Sequence, residues 1–234
     1  MRSRYLPFAM FLATGAAVSA DYIFNVDFED PPHVVNQQVV TGSAIDRPTY
    51  AEATVLARTN VADFTTQVAS LEPAGAMAFF YDPAVTSGLV RLSWDMAVLS
   101  LGTGGGLDSA AVAIQSSPTG VGDVFIDYEY DFDLEIANVD VGTYALGNQH
   151  HLEFLFDLDS DVFSVWLNSS LVLTNTAVNP TFDIQNVLFS RENLQNPTYA
   201  VDNFQWEIIP EPSTAFLMLL GSVFFVAQRV RRRQ

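Results

Sequence analysis

The stretch Asp127-Tyr128-Glu129-Tyr130-Asp131-Phe132-Asp133-Leu134-Glu135-Ile136 alternates acids with apolar or aromatic residues without interruption. Because side chains on a strand point to opposite faces in turn, this pattern predicts five carboxylates on one face and five apolar groups on the other. Such a face cannot be buried uncompensated. Carboxylates about 7 Å apart along a strand raise one another's pKa or recruit a cation. Asp127, Glu129, Asp131 and Asp133 are therefore a candidate ligand face, solvated or cation-coordinating.

A second group, Asp157, Asp159 and Asp161, has the one-apart spacing with which oxygen-ligand calcium loops begin. The glycine and distal glutamate of such a loop are missing, so a polar β-turn is the reading taken. Trp94, Trp166 and Trp206 could stack on sugar rings if exposed, but at alternating strand positions they are expected in the core. His150 and His151 are adjacent and would face opposite sides of a strand, which with His33 leaves no zinc triad. There is no cysteine, hence no disulfide and no thiolate site. No serine sits in a nucleophile elbow, and the glycines of Leu101 to Gly106 lack the lysine and spacing of a phosphate cradle.

The elements that must position these groups are strands. Period-two runs are predicted over Tyr22 to Phe28, Val34 to Val40, Ala53 to Arg58, Phe64 to Ala69, Ala76 to Tyr81, Leu89 to Val98 and Ala110 to Gln115. Val124 to Ile136 is read as one long strand, and Asp82-Pro83 as a stop. His150 to Leu158, Val162 to Leu167 and Leu171 to Leu173 form a meander, followed by Ile184 to Phe189 and Tyr199 to Ile208. Without helical periodicity between residues 21 and 209, the expectation is one all-β domain, an antiparallel two-sheet sandwich.

Charge excludes some partners. Between the two ends only Arg47, Arg58, Arg91 and Arg191 face all 27 acidic residues, a net charge of −23 through Glu211, and the chain has no lysine. Such a field repels nucleic acid and anionic lipid and attracts cations.

Several stretches resemble known families. His151 to Asp159 followed by Phe163 to Asn168 is similar to the central hairpins of concanavalin A-like or laminin-G-like jelly rolls. Val201-Asp202-Asn203-Phe204 resembles the closing strand of such sandwiches, which returns beside the first near Asn25 to Glu29. That resemblance implies a structural calcium held by Asp27 or Glu29 with Asp202. Glu129 to Asp133 also resembles the Glu-x-Asp-x-Glu strand of jelly-roll β-glucanases. It would make Glu129 the nucleophile and Asp133 the acid, with Asp131 between them, although Asp133 is one methylene shorter than the family's glutamate.

The two ends carry addresses. Arg2 and Arg4, the apolar stretch Tyr5 to Val18 and Val18-Ser19-Ala20 read as a cleavable signal peptide over residues 1 to 20. At the other end stand Pro210-Glu211-Pro212, an apolar run without charge and Arg229 to Arg233. A helix over 213–229 would reach roughly 25 Å against a hydrocarbon core of about 30 Å, a marginal span whose basic flank stays in the cytoplasm. These residues resemble the PEP-CTERM sorting signal of exported bacterial proteins, with Ile209 where valine is usual. The resemblance implies an exosortase-type processing enzyme, a transient stay in the inner membrane of a Gram-negative-type bacterium, and release to the cell surface or extracellular matrix.

The expected protein is therefore a non-enzymatic structural or glycan-binding component of exopolysaccharide or biofilm, with a β-glucan hydrolase as the alternative. If the tail is removed near Pro210-Glu211-Pro212, mass spectrometry of the native product will find no peptide beyond about Thr214. Recovery of the intact C-terminus would contradict processing.

Overall fold

Strand β11 (His150–Asp157) shows why this sequence makes sheets: buried and half-buried positions alternate along all its length. His150, Leu152, Phe154 and Phe156 point into the core, while their odd-numbered neighbours do not. The computed structural model describes residues 21–29, 32–72, 75–101, 108–116, 123–190 and 197–210. The signal peptide and the 213–229 helix expected from sequence lie outside these residues. Among the described residues no helix is long and apolar enough to cross a membrane.

Residues Ala20–Glu211 form one compact unit, in which every regular element among the described residues is a strand. In chain order the first eight are β1 (Asp21–Val26), β2 (Tyr50–Ala51), β3 (Val55–Arg58), β4 (Val68–Leu71), β5 (Met77–Val85), β6 (Leu89–Ser100), β7 (Asp108–Gln115) and β8 (Val124–Glu129). The remainder are β9 (Asp133–Ile136), β10 (Val139–Thr143), β11, β12 (Val162–Leu167), β13 (Ser170–Ala177), β14 (Ile184–Ser190) and β15 (Thr198–Ile209). One sheet has the order β13-β12-β11-β6-β15-β4-β3, with β1 added beside β15; the other runs β10-β9-β8-β7-β14-β5-β2. All pairings are antiparallel. The two-sheet sandwich expected from the turn spacing is the architecture found.

The sheets meet through aromatic rings. Phe79 of β5 stacks on Phe204 of β15 with centroids 3.7 Å apart, and Phe189 meets Trp94 edge-on at 5.5 Å. Trp94 and Trp206 are fully buried, as their strand positions predicted, whereas Trp166, also expected in the core, is only half-buried. Offset and edge-on contacts of this kind add to the burial of apolar area. A small second cluster, Phe64, Val68, Ala97 and Ala200, covers part of the outer face of the larger sheet.

Besides the acidic stretch over Val124 to Ile136, three strand expectations change. Val34 to Val40 supplies one isolated bridge, Gln38 to Leu56, because the backbone turns at Asn36 with φ of +63°. The strand expected over Phe64 to Ala69 begins only at Val68, since Phe64 folds onto the outer cluster. β5 runs through Asp82-Pro83 instead of ending there. Its ladder with β14 jumps from Phe80 to Val85, so proline's missing donor costs no sheet hydrogen bond.

Phe204→Ala, which empties the stack between the sheets, is expected to lower stability by about 3–5 kcal/mol in urea unfolding. Tyr50→Ala, at an exposed position, should shift the midpoint little.

Candidate functional site

The acidic stretch does not form one strand. β8 ends at Glu129, the chain turns through Tyr130, Asp131 and Phe132, and β9 resumes at Asp133. Ile126 pairs with Ile136, Asp127 with Glu135 and Tyr128 with Leu134. Phe132 takes φ of +75°, and its N–H donates to Glu129 O at 3.1 Å. The Tyr144 hydroxyl donates to the same carbonyl at 2.5 Å, while Tyr144 N–H donates to Phe132 O at 2.9 Å. The division of faces holds along the two strands, where Tyr128, Leu134 and Ile136 are buried opposite the acids, but not in the turn, where Tyr130 and Phe132, expected on the apolar face, are exposed.

Folding back concentrates charge more than a straight strand would. Ligand oxygens of Glu129, Asp131 and Asp133 lie within 4.8 Å of one another. The Asp133 carboxyl is pushed above its ordinary range by partial loss of solvation and by the negative charges of Asp131 and Asp140. An all-oxygen set suits a hard cation such as calcium, with water completing the shell. Asp127 stays outside this group, paired across the hairpin with Glu135. The β-glucanase resemblance requires its three acids in sequence along one strand. Here Asp131 is in the turn, so that strand is absent.

A second set of acids sits where β15 changes partner. Along one edge β15 pairs first with β4, as far as Val201 with Ala69, and then with β1, from Phe204 with Val26. Between them the register against β6 slips, and Asn203 bulges with φ of +52°. Asp202 is 1% exposed; its Oδ2 accepts from the Thr66 hydroxyl at 2.7 Å and its Oδ1 from Asn203 N–H at 2.8 Å. Directly opposite lies Asp95, whose Oδ2 accepts from Asn203 Nδ2 and whose Oδ1 meets His151 Nδ1, both at 2.7 Å. His151, Asp95 and Asp202 thus form a row across three adjacent strands.

Of the three residues expected to hold calcium, the fold brings Glu29 and Asp202 to this junction, where the charge of Glu29 acts on Asp202. Glu29 Oε1 accepts from Gln67 N–H at 3.0 Å, next to Thr66. Gln67 Nε2 in turn donates to Phe28 O at 2.6 Å and His33 O at 3.1 Å, holding Phe28 at φ of +56°. Asp27 instead caps its own turn, accepting from Glu29 N–H at 3.2 Å. The three-carboxylate group drawn together among the described residues is the hairpin's.

Burial pushes Asp202 up to about 7 against the pull of Thr66 and the Asn203 amide, with the charges of Asp95 and Glu29 adding to the rise. Asp95 also suffers from burial, but hydrogen bonds from His151 and Asn203 outweigh it and hold its carboxyl below the ordinary value. The same bond raises His151. The roles of Asp95, His151, Thr66 and Asn203 were not read from sequence. One signal was available: Asp95 interrupts an apolar strand between Trp94 and Met96.

Of the remaining candidates, Asp157 and His150 have structural partners. Asp157 closes its turn by accepting from Ser160 N–H at 3.1 Å, the polar turn expected. His150 is buried against Tyr128, and His151 faces the other way, half-buried.

Comparison with known proteins adds a motif and a fold. Residues 209–233 match the PEP-CTERM protein-sorting motif, the resemblance read from Pro210, Glu211 and Pro212. No curated protein matches the chain in sequence. Domain 4 of AbnA, a GH43 extracellular arabinanase from Geobacillus stearothermophilus solved with arabinotriose, is similar with a TM-score of 0.53 at 12% identity, over 81% of this chain and 93% of that one. Cellulose induced protein Cip1 is similar with a TM-score of 0.52 at 15% identity, over 78% of this chain and 96% of that one. A sialidase aligns over 66% of this chain but 17% of its own length, with a TM-score of 0.47 at 10% identity. At such identities the likeness to Cip1 and the arabinanase domain is one of fold.

The raised Asp202 has a stability consequence. Between the ordinary carboxyl value of 3.8 and about 7 the folded state keeps a proton that the unfolded chain releases. Asp202's contribution to stability therefore falls as pH rises through that window, by up to about 1.4 kcal/mol per pH unit, while His33 and His150, lowered by burial, act in the opposite direction below 6.5. His151, raised above 6.5, acts in the same direction only at the upper end. Urea midpoints of Asp202→Asn measured from pH 4 to 7 should lose most of that slope. An unchanged slope would mean that Asp202 is ionised in the fold.

Proposed function

We propose that this chain is exported, sorted through its PEP-CTERM tail by an exosortase-type enzyme, and released to the cell surface or an extracellular polysaccharide matrix as a glycan-binding or structural component. The observation that carries this reading is the sorting motif over residues 209–233 joined to an all-β sandwich. β15 ends at Ile209, so Pro210, which can neither donate to a ladder nor extend a strand, separates cargo from tail.

The saccharide side of the reading draws support from the fold shared with an arabinanase domain bound to arabinotriose. Fold alone does not assign a ligand, and what decides is the chemistry presented. The net charge of −23 favours a neutral polymer over an anionic one, because an acidic glycan would be repelled over most of the surface. A binding role also fits the hairpin acids better than hydrolysis does. With Asp131 in a turn, Glu129 and Asp133 lack the common strand on which the glucanase pair depends. Calcium bound there by Glu129, Asp131 and Asp133 would brace the hairpin, not act on substrate.

A glycan array probed with the full chain, with and without calcium, separates the readings. Binding to neutral glycans without release of reducing ends is expected, and calcium should raise the melting temperature of the wild type but not of Asp131→Asn. Release of reducing ends from β-glucan that is abolished by Glu129→Gln would instead establish the hydrolase. No binding to any glycan would leave a purely structural matrix role.

A further inference from the structure

A cleft of about 520 Å³ opens where β1 of the larger sheet approaches β5 of the smaller one. Its two walls are the places where these strands leave their ladders. In β1 the register against β15 slips between Tyr22 and Phe24. In β5 residues 81–84 stand out of the sheet between the pairs Asn186 with Phe80 and Ile184 with Val85. Bulges re-aim side chains, and here they leave Tyr22 and Phe80 each 44% exposed, while most aromatic rings of the sandwich are buried. Asp21 and Asp82, both exposed, lie beside these rings, and no arginine lines the cleft among the described residues.

The walls are held in place. The 43–49 loop is tied to β1 by Asn25 N–H donating to Ile45 O at 2.7 Å. The Thr49 hydroxyl accepts from Phe80 N–H at 2.9 Å and donates to Phe80 O at 3.2 Å, so a side chain satisfies both backbone groups of Phe80. Beneath, Tyr81 packs edge-on against buried Trp206 at 6.1 Å. A fixed concavity with exposed rings and hydrogen-bond acceptors is not needed to fold the sandwich.

We infer that this cleft is a subsite for a neutral saccharide. The inference rests on the glycan-binding reading and gives it a place. The C–H face of a sugar ring would lie on Tyr22 or Phe80, and its hydroxyls would donate to the Asp21 and Asp82 carboxylates. The volume falls within the roughly 300–1,000 Å³ usual for small-ligand sites. Two carboxylates and no cation among the lining residues select against uronates and other anionic sugars.

The test is affinity electrophoresis of the full-length gene product, isolated from an exporting bacterial host, in native gels containing arabinan, hydroxyethylcellulose or alginate. The wild type should be retarded by at least one neutral polymer and not by alginate. Tyr22→Ala with Phe80→Ala should weaken that retardation by about tenfold or more without moving the melting temperature. Ile45→Trp, which narrows the mouth from an exposed loop position, should do the same should the double variant prove unstable. Retardation of both variants equal to the wild type would overturn the subsite and leave the glycan-binding reading standing. No retardation of the wild type by either neutral polymer would overturn both. Preference for alginate, or displacement by choline instead of free oligosaccharide, would overturn the neutral-sugar assignment.

Discussion

One strand has to satisfy three neighbours, and much of the sandwich follows from how it does so. β15 lies against β6 along its length, while its other edge is shared end to end by β4 and β1. Two strands meeting on one edge leave a gap in the ladder, and the bulge at Asn203 falls there. The bulge also resets parity. Val201 and Phe204 both point into the core although they are three positions apart, which alternation without a bulge could not achieve.

The gap explains the polar groups buried beside it. Asp202 and Asp95 are directly opposed carboxyls, a pair that would destabilise the sheet if both were charged and no other groups intervened. Asn203 intervenes because its bulged backbone lets the amide reach Asp95 while its N–H serves Asp202. Thr66 and His151 complete the set from either side. One carboxyl is held below its ordinary value and the other above it, since only Asp95 has a partner able to carry positive charge. The pairing of β1 with β15 also sets the first residue of the sandwich, Asp21, across from Ile208, immediately before the sorting motif. Both ends of the cargo therefore leave from one place.

Departures from regular strand geometry mark the chemically interesting parts of the surface. The turn at Phe132 gathers three carboxylates, the bulge at Asn203 houses a buried network, and the paired irregularities of β1 and β5 open an aromatic cleft. The same alternation that makes a strand legible hides these sites. A continuous acid-apolar pattern from Asp127 to Ile136 fits a straight strand and a hairpin equally well, because reversing direction after an odd-numbered turn keeps each residue on its face. The positive φ of Phe132 carries no sequence signature, since Phe is not a residue that favours it.

The sequence by itself determined the fold class, the burial of Trp94 and Trp206 though not of Trp166, the meander from His150 to Leu173, and the sorting motif. Each of these depends on local periodicity or on a motif written contiguously in the chain, whereas the return of the last strand beside the first was implied by the jelly-roll resemblance. Only the tertiary structure decided that Asp95 faces Asp202, that His151 holds the one and Thr66 the other, and that Tyr22 and Phe80 share a cleft. Those neighbours are set by register between strands far apart in the chain, and no period within a strand reports which residue will stand opposite.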